Sequence, residues 1–170
     1  DAQESRGLGD VYKRQAELQR DNTISGSEQA AGARAAMPTA QAKQAAWQRA
    51  TTDDSVPNET YRQLVMQFIQ PDQTEVLSPY VDPYLELCKA IDSHEGQWAK
   101  AGHAQVQNAL MWLFPSTEVI DAAWLNKLEG WVSDNDPGST VRRVLAERAD
   151  NDRRIPVSYT HLTLPTTPYV

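Results

Sequence analysis

From Tyr61 to Ile69 the apolar side chains fall at Tyr61, Leu64, Val65, Phe68 and Ile69, a spacing that places them on one stripe of a helix. Pro57 and Asn58 precede the stripe as its start. Pro71 closes it, because the residue before a proline avoids the α region. A second stripe, Val81, Tyr84, Leu85, Cys88 and Ile91, begins near Pro79, with a short first turn imposed by Pro83. The pattern then predicts a longer helix from Gln97 to Phe114 with Trp98, Gly102, Val106, Ala109, Leu110 and Leu113 inward, and Gly102 as the place where a neighbouring helix approaches closely. Pro115 ends it. Ser116 or Thr117 caps the next helix, whose inward set is Ile120, Ala123, Trp124, Leu128 and Trp131. Asp136 followed by Pro137 reads as a cap with proline at the first helical position, opening a last helix through Val141, Val144 and Leu145. Near the start, Pro38 divides an alanine-rich helix ending near Met37 from another that holds Ala42, Ala45, Ala46 and Trp47.

Seven such proline-punctuated blocks between Ala16 and Arg154 make an all-α chain. Short helices joined by connections of about two to six residues favour antiparallel neighbours. No strict internal period appears, so irregular stacked antiparallel helical hairpins, a HEAT-like or armadillo-like solenoid, are the expected architecture, with a compact bundle as the alternative. The two ends differ in kind. Arg6 to Gln15 and Val157 to Thr167 resemble tails that recur on unrelated translated fragments through read-through of sequencing adaptors. Residues 1–15 and 155–170 are therefore expected to be non-native, leaving 16–154 as one helical domain; a terminal strand is the structural alternative for the second tail.

Composition narrows the function classes. A net charge of -7 over 170 residues offers no basic field for nucleic acid. No apolar run approaches the roughly 20 residues that span a bilayer, and the first residues lack the order of a secretory signal. The single cysteine, Cys88, cannot close an internal disulfide, so an oxidising compartment is not required and the cytoplasm is the expected location.

The chemistry-bearing residues are few. His94-Glu95 begins a zinc-peptidase signature, but the second histidine must follow four residues after the first and that position is Trp98. His103 would lie about 13 Å further along a continuous helix, too far for one ion. Ser93 as a cap, with Glu95 in the first turn, is the plainer expectation. Cys88 sits on an apolar stripe with no base nearby, which fits core packing better than a nucleophile. Asp53-Asp54 and Asp134 to Asp136 fall at helix ends beside turn residues, as solvated turns do. Of the tryptophans, Trp47, Trp98, Trp124 and Trp131 fall on or beside stripes that need filling, whereas Trp112 lies off its stripe and is expected at an interface. The last helix carries Arg142, Arg143, Arg148, Arg153 and Arg154 against Glu147, Asp150 and Asp152. A guanidinium fork can hold a carboxylate, and Arg142 and Arg143 are the substrate-binding candidates; a solvated charged face is the competing reading. No glycine-rich phosphate loop is present.

Three segments taken in order, Glu17 to Gly26, Gln70-Pro71-Asp72-Gln73 through Pro79 to Tyr84, and Leu113-Phe114-Pro115-Ser116, resemble the C-terminal helical domain of bacterial aminopeptidase N, the endoplasmic-reticulum aminopeptidase-like domain. The resemblance covers essentially residues 16–154 and rests on the order and spacing of the segments. It implies a fragment of a zinc metallopeptidase that removes N-terminal residues from peptides. It also implies that zinc, the H-E-x-x-H helix and the amine-recognising G-x-M-E-N segment belong to an earlier domain absent here. No catalytic or metal residue is expected in this chain, no cofactor of its own, and its partner would be that catalytic domain, over which the helices close around a chamber. The alternative, from a different class, is a free-standing helical scaffold that binds a protein or peptide in a groove.

Overall fold

The computed structural model describes residues 2–154, so the stretch 155–170 set aside above lies outside the described residues. Every regular element among the described residues is helical, as expected: α1 (Ala2–Ala36), α2 (Ala40–Thr52), α3 (Asn58–Met66), α4 (Thr74–Leu77), α5 (Val81–Asp92), α6 (His103–Trp112), α7 (Ala122–Asn135) and α8 (Ser139–Arg154). Short 3-10 turns, Ser78–Tyr80 and Gly96–Ala99, precede α5 and α6. Helix α1 packs on α3, α3 on α6 and α6 on α8, so these four lie in a row, while α2 sits against α1 and α3, and α7 against α8. Helix α1 is exposed from Ala2 to Ser27; its buried contacts begin at Ala31, Gly32 and Ala35.

Two aromatic clusters tie α2, α5 and α7 to this row. Trp47, Phe68 and Tyr80 meet at centroid distances of 5.1 to 5.7 Å, joining α2 to the turn after α3 and the turn before α5. Tyr84, Phe114 and Trp124 do the same at 5.3 to 6.3 Å, joining α5, the end of α6 and α7. Three of the six pairs, Phe68–Tyr80, Tyr84–Phe114 and Phe114–Trp124, are edge-to-face, an arrangement that adds specific attraction to the apolar area they bury. The Tyr61 and Val81 stripes predicted from spacing are the ones that form this core: Tyr61, Leu64, Val65, Phe68, Tyr84, Leu85, Cys88 and Ile91 are all buried.

Short helices have many ends, and each C-terminus leaves carbonyls without intrahelical donors. Here long polar side chains from neighbouring helices reach them. Lys43 Nζ donates to Ala35 O and Phe68 O, both at 2.7 Å. Gln73 donates to Ala36 O at 3.0 Å, Tyr61 and Gln97 both donate to Ala50 O at 2.9 and 2.8 Å, and Tyr84 donates to Leu110 O at 2.6 Å.

Several boundaries depart from the sequence reading. The helix expected from Gln97 to Phe114 is broken: Gly102 stands in extended backbone as the cap before α6 and is exposed, with nothing within 4 Å of an added Cβ. The close approach occurs instead at Gly32, where a Cβ would meet Gln67 Cγ at 3.1 Å and Gln63 O at 3.4 Å, between α1 and α3. The cap of α7 is Asp121, whose carboxylate accepts from Trp124 N at 2.8 Å; Ser116 instead accepts from Glu118 N within its own turn. Ala123 is consequently exposed and Leu125 takes its place in the core. Asp136 is not the cap of α8 but the left-handed stop of α7, φ 46°, and Pro137 is buried between the two helices. On α2, Ala46 is buried and Ala45 exposed, because Lys43, Ala46 and Ala50 share the inward register.

Candidate functional site

His94 and Glu95 form the end of a helix rather than its beginning. Ser93 terminates α5, His94 follows at φ 54°, and two bonds close the end: His94 N to Ile91 O at 3.2 Å and Glu95 N to Ala90 O at 3.0 Å. That pair of bonds is the Schellman stop, in which a left-handed residue lets the chain turn back on the last carbonyls. The expectation that Ser93 starts a helix fails for this reason. Because the chain breaks between Glu95 and Gly102, His94 and His103 border one shallow cavity of about 290 Å³, floored by Ile91, Trp98, Val106 and Val141. The third group there, Asp92, is already engaged, accepting from Gly138 N at 2.9 Å to cap α8. Among the described residues no three His, Cys, Asp or Glu side chains are grouped to hold a metal ion.

Nucleophilic chemistry is equally unsupported. Cys88 is fully buried and burial pushes its thiol up to about 12, away from the thiolate that attack requires. Tyr84, sealed beside it, is likewise raised by burial. Asp53 accepts from Ser55 N and Oγ at 2.9 and 2.5 Å, a local turn that holds its carboxyl below the usual range. Asp134 and Asp136 are exposed at the end of α7.

Arg142 and Arg143 are both exposed and both have partners. Arg142 donates to the Asp136 carboxylate and to Pro137 O at 3.1 Å, and Arg143 lies 3.6 Å from Glu147. Trp112 is exposed at 36%, off the buried face of α6, while Trp98 and Trp124 are buried and Trp47 and Trp131 are packed at the edge of the core. A recess of about 520 Å³ runs between α2 and α5 over Trp47, Leu87 and Trp98. Its rim charges are spent on one another, Lys89 with Glu86 at 3.1 Å and Lys127 with Asp82 at 4.0 Å. No helix among the described residues is long and apolar enough to cross a membrane.

Lys43 is the polar residue that the spacing argument passed over. It is fully buried, lies 5.3 Å from the Phe68 ring centroid and has its amine pushed down to about 8 by desolvation. The available signal was register: Lys43, Ala46 and Ala50 fall at i, i+3 and i+7, a buried face with one ionisable member.

Among the described residues the arrangement is thus a set of braced helix ends. The model of the ERAP1-like C-terminal domain matches residues 5–154. The chain belongs to the ERAP1-like C-terminal domain family. The match takes in residues 5–15 as well as the stretch from residue 16 onward. Aminopeptidase N of Streptomyces lividans is 33% identical to this ERAP1-like domain over 132 residues, 78% of the chain. The chain spans only 15% of that relative's length. The chain is thus a helical domain of this family that is similar to a part of an aminopeptidase N, without a grouped metal-ligand set among its described residues.

Proposed function

We propose that this chain is the non-catalytic C-terminal domain of a zinc aminopeptidase, a wall of stacked antiparallel helical hairpins that closes over the catalytic domain and encloses the chamber in which N-terminal residues are released from peptides. The observation that carries the proposal is the 33% identity to an aminopeptidase N over most of the chain. The geometry supports it: a wall that excludes water needs rigid, mutually braced helices rather than nucleophiles. The described residues do not fit a metal site, so no step of the reaction is routed through them. Zinc, the peptide substrate and the attacking water belong to the rest of the parent protein, which acts in the cytoplasm. In this reading residues 16–154 are the native domain. Arg142 and Arg143 would face the chamber only as neutralised pairs with Asp136 and Glu147.

The test is to read the gene upstream of the codon for Ala16. An H-E-x-x-H helix in the same frame within several hundred codons is the expected result, and its absence would overturn the assignment. The purified chain is expected to bind no stoichiometric zinc and to leave aminoacyl anilides intact; turnover with bound zinc would refute the non-catalytic reading.

A further inference from the structure

Helix α8 carries five arginines, and four of them are matched. Arg142 pairs with Asp136, Arg143 with Glu147 at 3.6 Å, and Arg154 with Asp150 at 3.0 Å. Arg153 forks onto both oxygens of Glu129 at 3.0 Å and onto Asn126 at 2.8 Å. Arg148 makes no hydrogen bond or ion pair with any described residue, and its Nε is closed to solvent. Its guanidinium lies over the buried ring of Phe114, with Cζ 5.2 Å from the centroid. The side chain one turn on, Asp152, does not pair with it; its Oδ2 is buried and unpartnered, and desolvation raises its carboxyl against the opposing effect of Arg148. A second unmatched group meets the Phe114 ring: Trp124 stands edge-on to it at 5.7 Å, is only 7% exposed, and has no partner for its indole Nε1.

Buried polar atoms in folded proteins are nearly always hydrogen-bonded, and an unmade bond costs the full desolvation of the group. Two donors left over at one aromatic ring therefore point to something that the described residues do not supply. The contact with Phe114 holds the cation over the ring face and uses none of the guanidinium N–H groups. The fork geometry of those donors matches a carboxylate. A dianion would be repelled by Asp152, and a neutral amide would leave the half-buried cation uncompensated.

We propose that Arg148, seated on Phe114 with the Trp124 indole on the same ring, is a binding site for a carboxylate supplied from outside the described residues. The site is read from this chain alone and does not rest on the chamber-enclosing role.

The experiment follows the Arg148 Nε–Hε resonance of the 170-residue chain by NMR as acetate replaces chloride at constant ionic strength. A saturable shift is expected, and Arg148→Lys, which keeps the charge but loses the fork and is followed, beside the wild type, through the Trp124 indole Nε1–Hε1 resonance, should weaken acetate binding by about tenfold or more. Trp124→Phe should weaken it less. If acetate leaves the resonance unmoved while Asp152→Asn moves it, Arg148 and Asp152 pair in solution and the proposal is overturned; equal acetate affinity in the wild type and Arg148→Lys overturns it as well. A second arm locates the source. In a longer form of the same polypeptide, a resonance already shifted and deaf to acetate means the carboxylate is internal, whereas retained acetate sensitivity means a free carboxylate ligand.

Discussion

Replacing Lys43 by methionine removes the ammonium but keeps most of the stem, and so isolates what the amine does. Two buried carbonyls, Ala35 O and Phe68 O, lose their donor. An orphaned buried acceptor costs about 1–3 kcal/mol, so the pair costs about 4 kcal/mol. Part of this is returned at neutral pH, because the variant no longer desolvates a charge. Burial holds the Lys43 amine at about 8, against about 10.4 in an unfolded chain, and each tenfold change in proton affinity is worth about 1.4 kcal/mol. The two carbonyl oxygens favour the ammonium and oppose some of that penalty, which leaves about 2 kcal/mol as the working offset. Lys43→Met should therefore be about 2 kcal/mol less stable than the wild type at pH 7, or roughly 4–8 °C in Tm.

The sign of the pH dependence separates this account from simple loss of packing. Between the folded value of about 8 and the unfolded value, the unfolded chain binds the extra proton, so the Lys43 contribution to stability rises with pH through that window. The neutral amine still donates to both carbonyls. The deficit of Lys43→Met should accordingly widen from about 2 to about 4 kcal/mol between pH 7 and pH 10. Total stability will not show this directly, because Cys88, held at about 12 in the fold, acts in the opposite direction above the unfolded thiol value of about 8.5. The difference between the two proteins cancels that contribution. Urea unfolding followed by tryptophan fluorescence at pH 7 and pH 10 measures it. A deficit that stays flat or shrinks would refute the desolvated-amine argument, and no deficit at pH 7 would refute the capping role.

Three further outcomes follow from the same geometry. His94→Gly should stabilise the chain by about 0.5–1 kcal/mol in thermal unfolding, because glycine adopts the left-handed stop without the cost a side chain carries there; a loss of stability would mean that the imidazole has a partner of its own. Asp121→Ala should cost about 1 kcal/mol through loss of the α7 cap, read from the shift in urea midpoint at unchanged slope. Cys88 should resist a thiol-specific disulfide reagent at pH 8 in the folded chain and react once urea opens the core; prompt labelling without denaturant would contradict its burial.

Spacing alone made the helical class and its best stripes legible, since Tyr61, Leu64, Val65 and Phe68, and likewise Tyr84, Leu85, Cys88 and Ile91, face the core they were assigned. Periodicity reports which side of a helix is wet, and on those helices one side is. It does not report where a helix stops. The stops here are set by backbone geometry at His94 and Asp136, residues whose side chains suggest chemistry or capping and whose φ values of 54° and 46° make them turn points instead. The same limit explains Gly102, which interrupts a helix that its flanking apolar residues would continue. Arg148 was visible as one arginine among five on α8, but only the structure distributes the carboxylates among them.

Five polar side chains that reach into this domain share one task, and the task follows from helix length. Helices of nine to fourteen residues, such as α3 and α7, spend a large fraction of their backbone on terminal carbonyls that no i+4 amide can reach. In a stack these ends are carried into the interior, where water cannot satisfy them, and an unmet carbonyl would cost as much as a core cavity. Lys43, Tyr61, Gln73, Tyr84 and Gln97 are each long enough to cross from one helix to the end of another. Each bond also fixes the spacing between two helices, which apolar contact by itself leaves free to slide. A lysine buried on an alanine-rich face is thus a consequence of breaking the chain into short helices, and its depressed basicity reflects burial at a brace rather than a poised catalytic group.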